Sequence, residues 1–257
     1  MRRFLIQPAD PLSPEFADIV ACEIASFNTP YQSIFRFFYP IFGGESLEEK
    51  NLALEDLIER QRQWARDDPD SIWLKAIDTE NNNKLVGGLL MKIHMTNPFA
   101  GDKLKEKSLA VWYPPGSQRE YIDQCLEIFS APREKFMQRP HVYFYIGFVD
   151  PEYRGHHVPN LLFEEECRRA DELGLEAYLE ATTPLAVQIY MRHGFIPYGK
   201  VSVEPKKENA DDEWKDMEKK MQPLQFCPMW RPKYGQFVPG KTQLPWDGYT
   251  EEMPSKL

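Results

Sequence analysis

Val142–Phe195 reads VYFYIGFVDPEYRGHHVPNLLFEEECRRADELGLEAYLEATTPLAVQIYMRHGF, and the way it is punctuated decides the fold. Val142 to Val149 is an unbroken apolar and aromatic run closed by Asp150-Pro151, which suits a strand buried on both faces and a turn that stops it. From Pro159, whose missing N–H costs nothing in the first turn of a helix, Leu162, Phe163, Cys167, Ala170 and Leu173 recur at three- and four-residue intervals before Gly174. The spacing predicts an amphipathic, C-capped helix. Leu175 to Thr182 reads as a second, shorter strand. Pro184 then opens a helix carrying Ala186, Val187 and Tyr190 until His193-Gly194 stops it. The order strand, helix, strand, helix, strand implies a mixed α/β fold.

Between the first strand and its helix, Tyr153-Arg154-Gly155-His156-His157-Val158 places backbone N–H groups at the positive end of a helix, where anions bind. The strand followed by V-D-P-E-Y-R-G, the helix ending in L-G-L, and I-Y-M-R-H-G-F together resemble the GNAT superfamily of acyl-CoA-dependent N-acetyltransferases. The resemblance covers roughly sixty residues, with fainter echoes at the first helix and the final strand. It implies a central, partly splayed sheet flanked by helices, acetyl-CoA as co-substrate, and a small amine as acceptor. It also implies that Arg154, Gly155, His156, His157, Val158 and Asn160 cradle the CoA pyrophosphate. In that family the cradle follows a pattern of Arg or Gln, two variable residues, Gly, one variable residue, then Gly or Ala. Here His157 stands at the first family glycine and Pro159 at the second, and proline removes an N–H that could bond a phosphate oxygen. The rival reading is therefore a protein of this fold that no longer takes acetyl-CoA, either an enzyme of other chemistry in the same cleft or a non-catalytic binding module.

The resemblance also assigns Tyr190 as the acid that protonates the departing thiolate, and the backbone of Phe148 and Val149 as partners of the acyl carbonyl and pantetheine amides, with Gly147 consistent with a bulge at the splay. Read on residue type alone, Tyr190 is equally a core tyrosine with its hydroxyl at the rim. A general base must accept a proton from an ammonium acceptor. Glu180, which alternates with Tyr178 and Thr182 on one face of its strand, is the leading choice, with Tyr145 and His141 as further candidates. His156-His157 reads three ways: half of an incomplete metal site, imidazoles that replace lost glycine amides and bind phosphate better below a pH of about 6.5, or plain surface residues. No cluster has metal-ligand spacing.

At 257 residues, with 42% hydrophobic and 13% aromatic side chains including six Trp, the chain can bury a real core. The expected organisation is one GNAT-like domain over residues 1–231, with an insertion at about 95–140 beside the cleft, a charged segment at 204–221, and an irregular tail over 232–257 that Phe237 and Trp246 pin to the body. A formal charge of −9 argues against a nucleic-acid partner and favours a cationic amine. Cys22, Cys125, Cys167 and Cys227 lie far apart without C-x-x-C spacing and read as reduced core thiols. MRRFLIQPAD lacks the apolar core of a signal peptide, and no window of about 18 apolar residues occurs, so no membrane partner and a cytoplasmic location are expected.

Elsewhere, Arg3 to Pro8 suits a short strand. Ser13-Pro14 would cap a helix with Phe16, Ile19, Val20, Ile24 and Phe27 on one face. Tyr31 to Phe42 is too aromatic for a solvated loop: it is either a plug on the core or, as the resemblance implies, part of the acceptor pocket. Gly43-Gly44 breaks the chain before a Ser46/Glu49 capping box. Ile72–Ile77 and Leu85–Ile93 read as a hairpin around Thr79–Asn83, with Gly87-Gly88 marking a bulge or a close backbone approach. A loop with a charged KLKEK middle leads to a Ser117/Glu120 capping box and a helix interrupted at Pro132. Phe195–Val203 and Leu224–Trp230 are the last strand candidates. The charged 204–221 segment reads as a solvated helix or loop.

Overall fold

The computed structural model describes residues 3–42, 46–101, 109–221 and 224–247. Along the chain run β1 (Phe4–Pro8), α1 (Phe16–Phe27), α2 (Leu47–Asp67), β2 (Ser71–Asp78), β3 (Lys84–His94), α3 (Ser117–Phe136) and β4 (His141–Val149). Then follow α4 (Val158–Glu172), β5 (Glu176–Ala181), α5 (Pro184–Arg192), β6 (Ile196–Pro197), β7 (Val201–Ser202), α6 (Asp212–Met221) and β8 (Gln225–Arg231). The strands form one mixed sheet in the order β1-β2-β3-β4-β5-β8-β6, with β7 on β8. Among the described strands only β4 and β5 pair in parallel, and α4 supplies the crossover that a parallel pair needs. β2 and β3 form the expected antiparallel hairpin, turning through Asn82 and Asn83 at φ of 50° and 56°, a conformation asparagine tolerates.

Two helix layers cover the sheet. Phe16, Ile19 and Val20 of α1 and Leu57 of α2 pack with Trp73, Leu90 and Phe148. On the other face, Val158, Leu162, Cys167 and Ala170 of α4 and Val187 of α5 close over Leu74, Leu89, Val142, Phe144 and Leu179. Helix α2 starts at the capping box read from the sequence: Ser46 accepts from the Glu49 N–H, and Glu49 accepts from the Ser46 N–H. Gly87 and Gly88 are where the strands press together. A Cβ on Gly87 would lie 2.7 Å from the Phe148 carbonyl oxygen, and one on Gly88 2.8 Å from the Phe148 ring and 3.0 Å from the Leu74 oxygen. The β2–β3 register also shifts beside them, so both sequence readings of the glycine pair hold.

Several expectations are corrected. Helix α1 begins at Phe16 after Glu15, without a Ser13 side-chain cap. The Ser117/Glu120 box does not form: Gly116 is the cap residue, and the Ser117 hydroxyl engages Asp211 and accepts from Lys207 Nζ at 2.8 Å. Helix α3 continues through Pro132 to Phe136. Leu173 is exposed, and Glu166 takes its place on the buried face of α4. Phe195–Val203 holds two short strands rather than one. The charged 204–221 segment is not solvated throughout, because α6 buries Trp214, Met217 and Met221 against Tyr121, Ile122 and Cys125 of α3. In the tail, Trp246 is buried among Phe136, Tyr198 and Trp230, whereas Phe237 is exposed. Gly43-Gly44, the KLKEK stretch and the end of the tail lie outside the described residues. All four cysteines are free thiols. No helix among the described residues is long and apolar enough to cross a membrane.

Candidate active site

β4 and β5 bond to each other only along His141–Tyr143 and Glu176–Tyr178. Beyond that point β4 continues to Val149 and β5 to Ala181 without pairing. The cause is local. The β3–β4 register shifts between Leu90, opposite Ile146, and Met91, opposite Phe144, so Tyr145 is an extra residue that bends the strand. The bulge therefore sits at Tyr145, not at Gly147. The parted strands open onto a cavity of about 1340 Å³ whose β4 wall is Tyr143 to Gly147. Phe148 does not line it; its side chain is buried against α1 and β2. Val149 also stands behind the wall, with its N–H 3.4 Å from the Ser26 hydroxyl. The residues of β4 that line the cavity thus run up to Gly147, directly before the Phe148 and Val149 of the sequence reading.

On one side of the sheet, Glu180 shares its face of β5 with Tyr178. Its carboxyl is desolvated and its Oε1 has no hydrogen-bond partner. Burial lifts its pKa to about 7, against the opposing pull of the Arg133 guanidinium and the Tyr143 and Tyr178 phenols. Two elements bring groups that the sequence reading missed. Glu23 of α1 is buried on the cavity wall, held by Gln61 Nε2 at 3.1 Å, and burial raises it to about 8 although the Gln61 bond works the other way. Arg133 of α3 lies 3.9 Å over the Tyr143 ring. Aromatic rings complete this side, among them Phe35, Phe38, Trp64, Trp73 and Tyr145. Within the segment Tyr31–Phe42, Phe37 and Tyr39 are buried in the core, while Gln32, Phe35 and Phe38 face the cavity.

On the other side, Tyr190 of α5 lines the cavity and packs edge-on against Phe163 of α4, with ring centroids 4.6 Å apart. Burial, helped by the nearby Glu166 carboxyl, pushes its phenol above the ordinary tyrosine range, so it stays protonated. Glu166, 1% exposed, also faces this end, and desolvation keeps it neutral well beyond the usual carboxylate range. Tyr145 lines the cavity but is held protonated by burial. His141 lies at the closed end of the strand pair, outside the cavity wall, its ring on the Arg139 carbonyl at 2.8 Å. Burial drives it down to about 3, so neither of the two secondary base candidates matches Glu180.

The loop before α4 keeps a cradle shape. Gly155 has φ of 80°, and His157 has φ of 63° and ψ of 6°, the left-handed conformation that glycine adopts most cheaply. Among the described residues, no carbonyl accepts from the N–H groups of Gly155, His157, Val158 or Asn160. His156 and His157 are exposed, and the His157 side chain makes no cap bond. Arg154 is not free: its Nη2 donates to the Ser26 carbonyl at 2.8 Å and its Nη1 to that of Thr29, a favourable cation at the C-terminal end of α1. Ser26 is also part of the cavity wall, so the loop and the cavity meet at its rim. A diphosphate at the loop and a thioester arm between the parted strands fit this arrangement. No group of three or more metal-ligating side chains occurs among the described residues.

The missed carboxyls had a readable signal. Glu23 falls in register with Phe16, Ile19 and Val20, and Glu166 with Leu162 and Phe163, each on an apolar helical stripe. Arg133 had none.

No protein-family model matches the chain, and no curated protein matches it in sequence. Solved structures do share its fold. A Corynebacterium glutamicum protein described as histone acetyltransferase HPA2 and related acetyltransferase aligns at 21% identity and a TM-score of 0.54, over 93% of this chain and 99% of that one. The Drosophila melanogaster polyamine N-acetyltransferase, which forms N-acetylagmatine, aligns at 12% identity and 0.56, over 88% and 98%. Arylalkylamine N-acetyltransferase 2 of Aedes aegypti aligns at 16% and 0.55, over 90% and 99%. The chain has the fold of the GNAT acetyltransferase superfamily.

Proposed function

We propose that the protein is an acyl-CoA-dependent N-acyltransferase, with acetyl-CoA as donor and a small amine as acceptor in direct attack. The observation that carries this reading is the parting of β4 and β5 around a cavity with a high-pKa carboxyl, Glu180, on one side and a protonated phenol, Tyr190, on the other. Glu180 takes a proton from the acceptor's ammonium, which leaves the lone pair free for the acyl carbonyl. Tyr190 gives its proton to the departing thiolate. The β4 edge at Tyr145–Gly147 orients the thioester, and the N–H groups of Gly155, His157, Val158 and Asn160 hold the diphosphate. Glu180, a carboxylate above a pH of about 7, favours an amine over an acid as the acceptor's reacting group. The similarity to amine N-acetyltransferases supports the same choice.

Titration of acetyl-CoA in a calorimeter tests the donor. Heat and a thermal shift are expected, and their absence at millimolar ligand would end the acyltransferase reading. In a thiol-release assay, Tyr190→Phe is expected to lower kcat by about 100-fold with little change in the KM for acetyl-CoA. Pro159 keeps a second reading in play, a GNAT fold that has given up acetyl-CoA, since it removes one N–H from the cradle. Under the main reading, His157→Gly and Pro159→Gly tighten acetyl-CoA. His157→Gly should also release about 1 kcal/mol of backbone strain, read as a higher denaturant midpoint, because that strain is present with and without ligand.

A further inference from the structure

Among the described residues, three cationic side chains line the cavity, and two are already engaged. Lys92 Nζ sits 2.6 Å from Asp68, and Arg119 donates to the carbonyls of Tyr113 at 2.6 Å and Val111 at 3.2 Å. Arg133 differs. Its guanidinium lies between the rings of Tyr143, 3.9 Å away, and Phe99, 5.0 Å away. Its Nε is sealed from solvent without an acceptor, and no described carboxylate or carbonyl accepts from its side chain. A guanidinium held by ring faces is oriented but not neutralised: the rings fix its plane and leave its fork of donors to a further partner. In the same cavity, Glu180 likewise keeps Oε1 unpartnered. An arginine and a glutamate that share a low-dielectric cavity without pairing form the electrostatic complement of a zwitterion.

We infer that the acceptor is an amine that also carries a carboxylate, of amino-acid type, with Arg133 gripping the carboxylate and Glu180 facing the amine. Arg133 is then a specificity-determining residue. This assignment rests on the acyltransferase reading for its catalytic consequence but not for binding, because Arg133 and Glu180 line the cavity whether or not a thioester is bound. A guanidinium takes a carboxylate through two parallel charge-assisted hydrogen bonds, a geometry that neither a simple amine nor a polyamine can satisfy.

The test compares matched pairs on the full chain: L-phenylalanine with 2-phenylethylamine, L-histidine with histamine, and L-ornithine with putrescine. The wild type is expected to turn over at least one amino acid with a kcat/KM about 30-fold above that of its decarboxylated partner, and Arg133→Met to abolish that ratio. Arg133→Lys, which keeps the charge but not the fork, should restore part of it, and thermal unfolding of both variants checks that they fold. A wild type that prefers the decarboxylated amines, or shows no preference, overturns the inference. If acetyl-CoA gives no turnover with any probe, the acyltransferase reading fails and calorimetry decides alone: an amino acid bound by the wild type and lost in Arg133→Met upholds the site, and no binding of any amino acid overturns it.

Discussion

Glu23, Glu166 and Glu180 all face the cavity with their carboxyls desolvated, and the same burial that raises their pKa values gives each a measurable signature. For Glu180 as base the reactive form is the carboxylate, so kcat/KM should rise with pH through about 7 and level off above it. Glu180→Gln should lower the plateau by about 100-fold and erase that limb; a limb that survives would assign it to another group. Glu23 reports on stability instead. Its folded value of about 8 lies above the unfolded value of about 4.3, so the folded state binds the extra proton. Its contribution is fully present below the unfolded value and is lost as pH climbs from there towards 8, at about 1.4 kcal/mol per unit of displacement. Glu23→Gln keeps an acceptor for Gln61 and should flatten that decline in denaturant titrations across this pH range. The sequence pointed to Glu180 because a carboxylate alternating with aromatic residues on a short strand is conspicuous. Glu23 and Glu166 were legible only as breaks in an apolar stripe, and residue type argues for solvent at such positions. Arg133 was not legible, since its role depends on which rings the fold brings beside it.

At the scale of elements, the run from β4 to α5 was readable because each boundary carries its own chemistry: Asp150-Pro151 ends a buried strand, Pro159 and Pro184 open helices, and Gly174 and Gly194 close them at φ of 62° and 86°. The bulge was misplaced because glycine is the residue that sequence reasoning associates with irregular strands, whereas Tyr145 is extruded by the register of β3 against β4, a property of two strands together. β3 carries a testable element of this geometry. Its two glycines let Phe148 lie across the hairpin, and a methyl group at Gly88 meets both a ring and the Leu74 carbonyl oxygen within 3.0 Å. The oxygen is backbone and cannot swing aside. Gly88→Ala should therefore cost about 2 kcal/mol by overpacking, read as a lower denaturant midpoint. Because Phe148 is on the strand that continues from the cavity wall, it should also weaken acetyl-CoA binding. Unchanged stability would show that β4 is free to shift, and that the parting of β4 from β5 is not fixed from the β3 side.

For the whole molecule, the aromatic side of the cavity is built from segments far apart in the chain, and this is why the sequence showed the sheet and the loop more clearly than the pocket. Trp112 Nε1 donates to the Phe37 carbonyl at 2.6 Å and the Tyr113 hydroxyl to that of Arg36 at 2.6 Å, so the stretch before α3 is fastened to the aromatic segment after α1. Helix α3, which carries Arg133, is in turn backed by α6, a helix whose charged residues hide a stripe of Trp214, Met217 and Met221. Trp214 is fully buried and meets Tyr121 of α3 edge-on at 5.0 Å, while Lys207 joins Glu120 at 2.7 Å beside it. Nothing from α6 lines the cavity, so its effect on substrate passes through the position of α3. Trp214→Ala should cost about 3–5 kcal/mol, as for other large-to-small changes in a core. Where the variant still folds, it should raise the KM for the acceptor more than the KM for acetyl-CoA, because the loop before α4 proposed to hold the diphosphate and Tyr190 of α5 lie across the sheet from α3. Equal changes in both constants would mean that α3 and the sheet loosen together, and that the acceptor wall has no independence from the donor side.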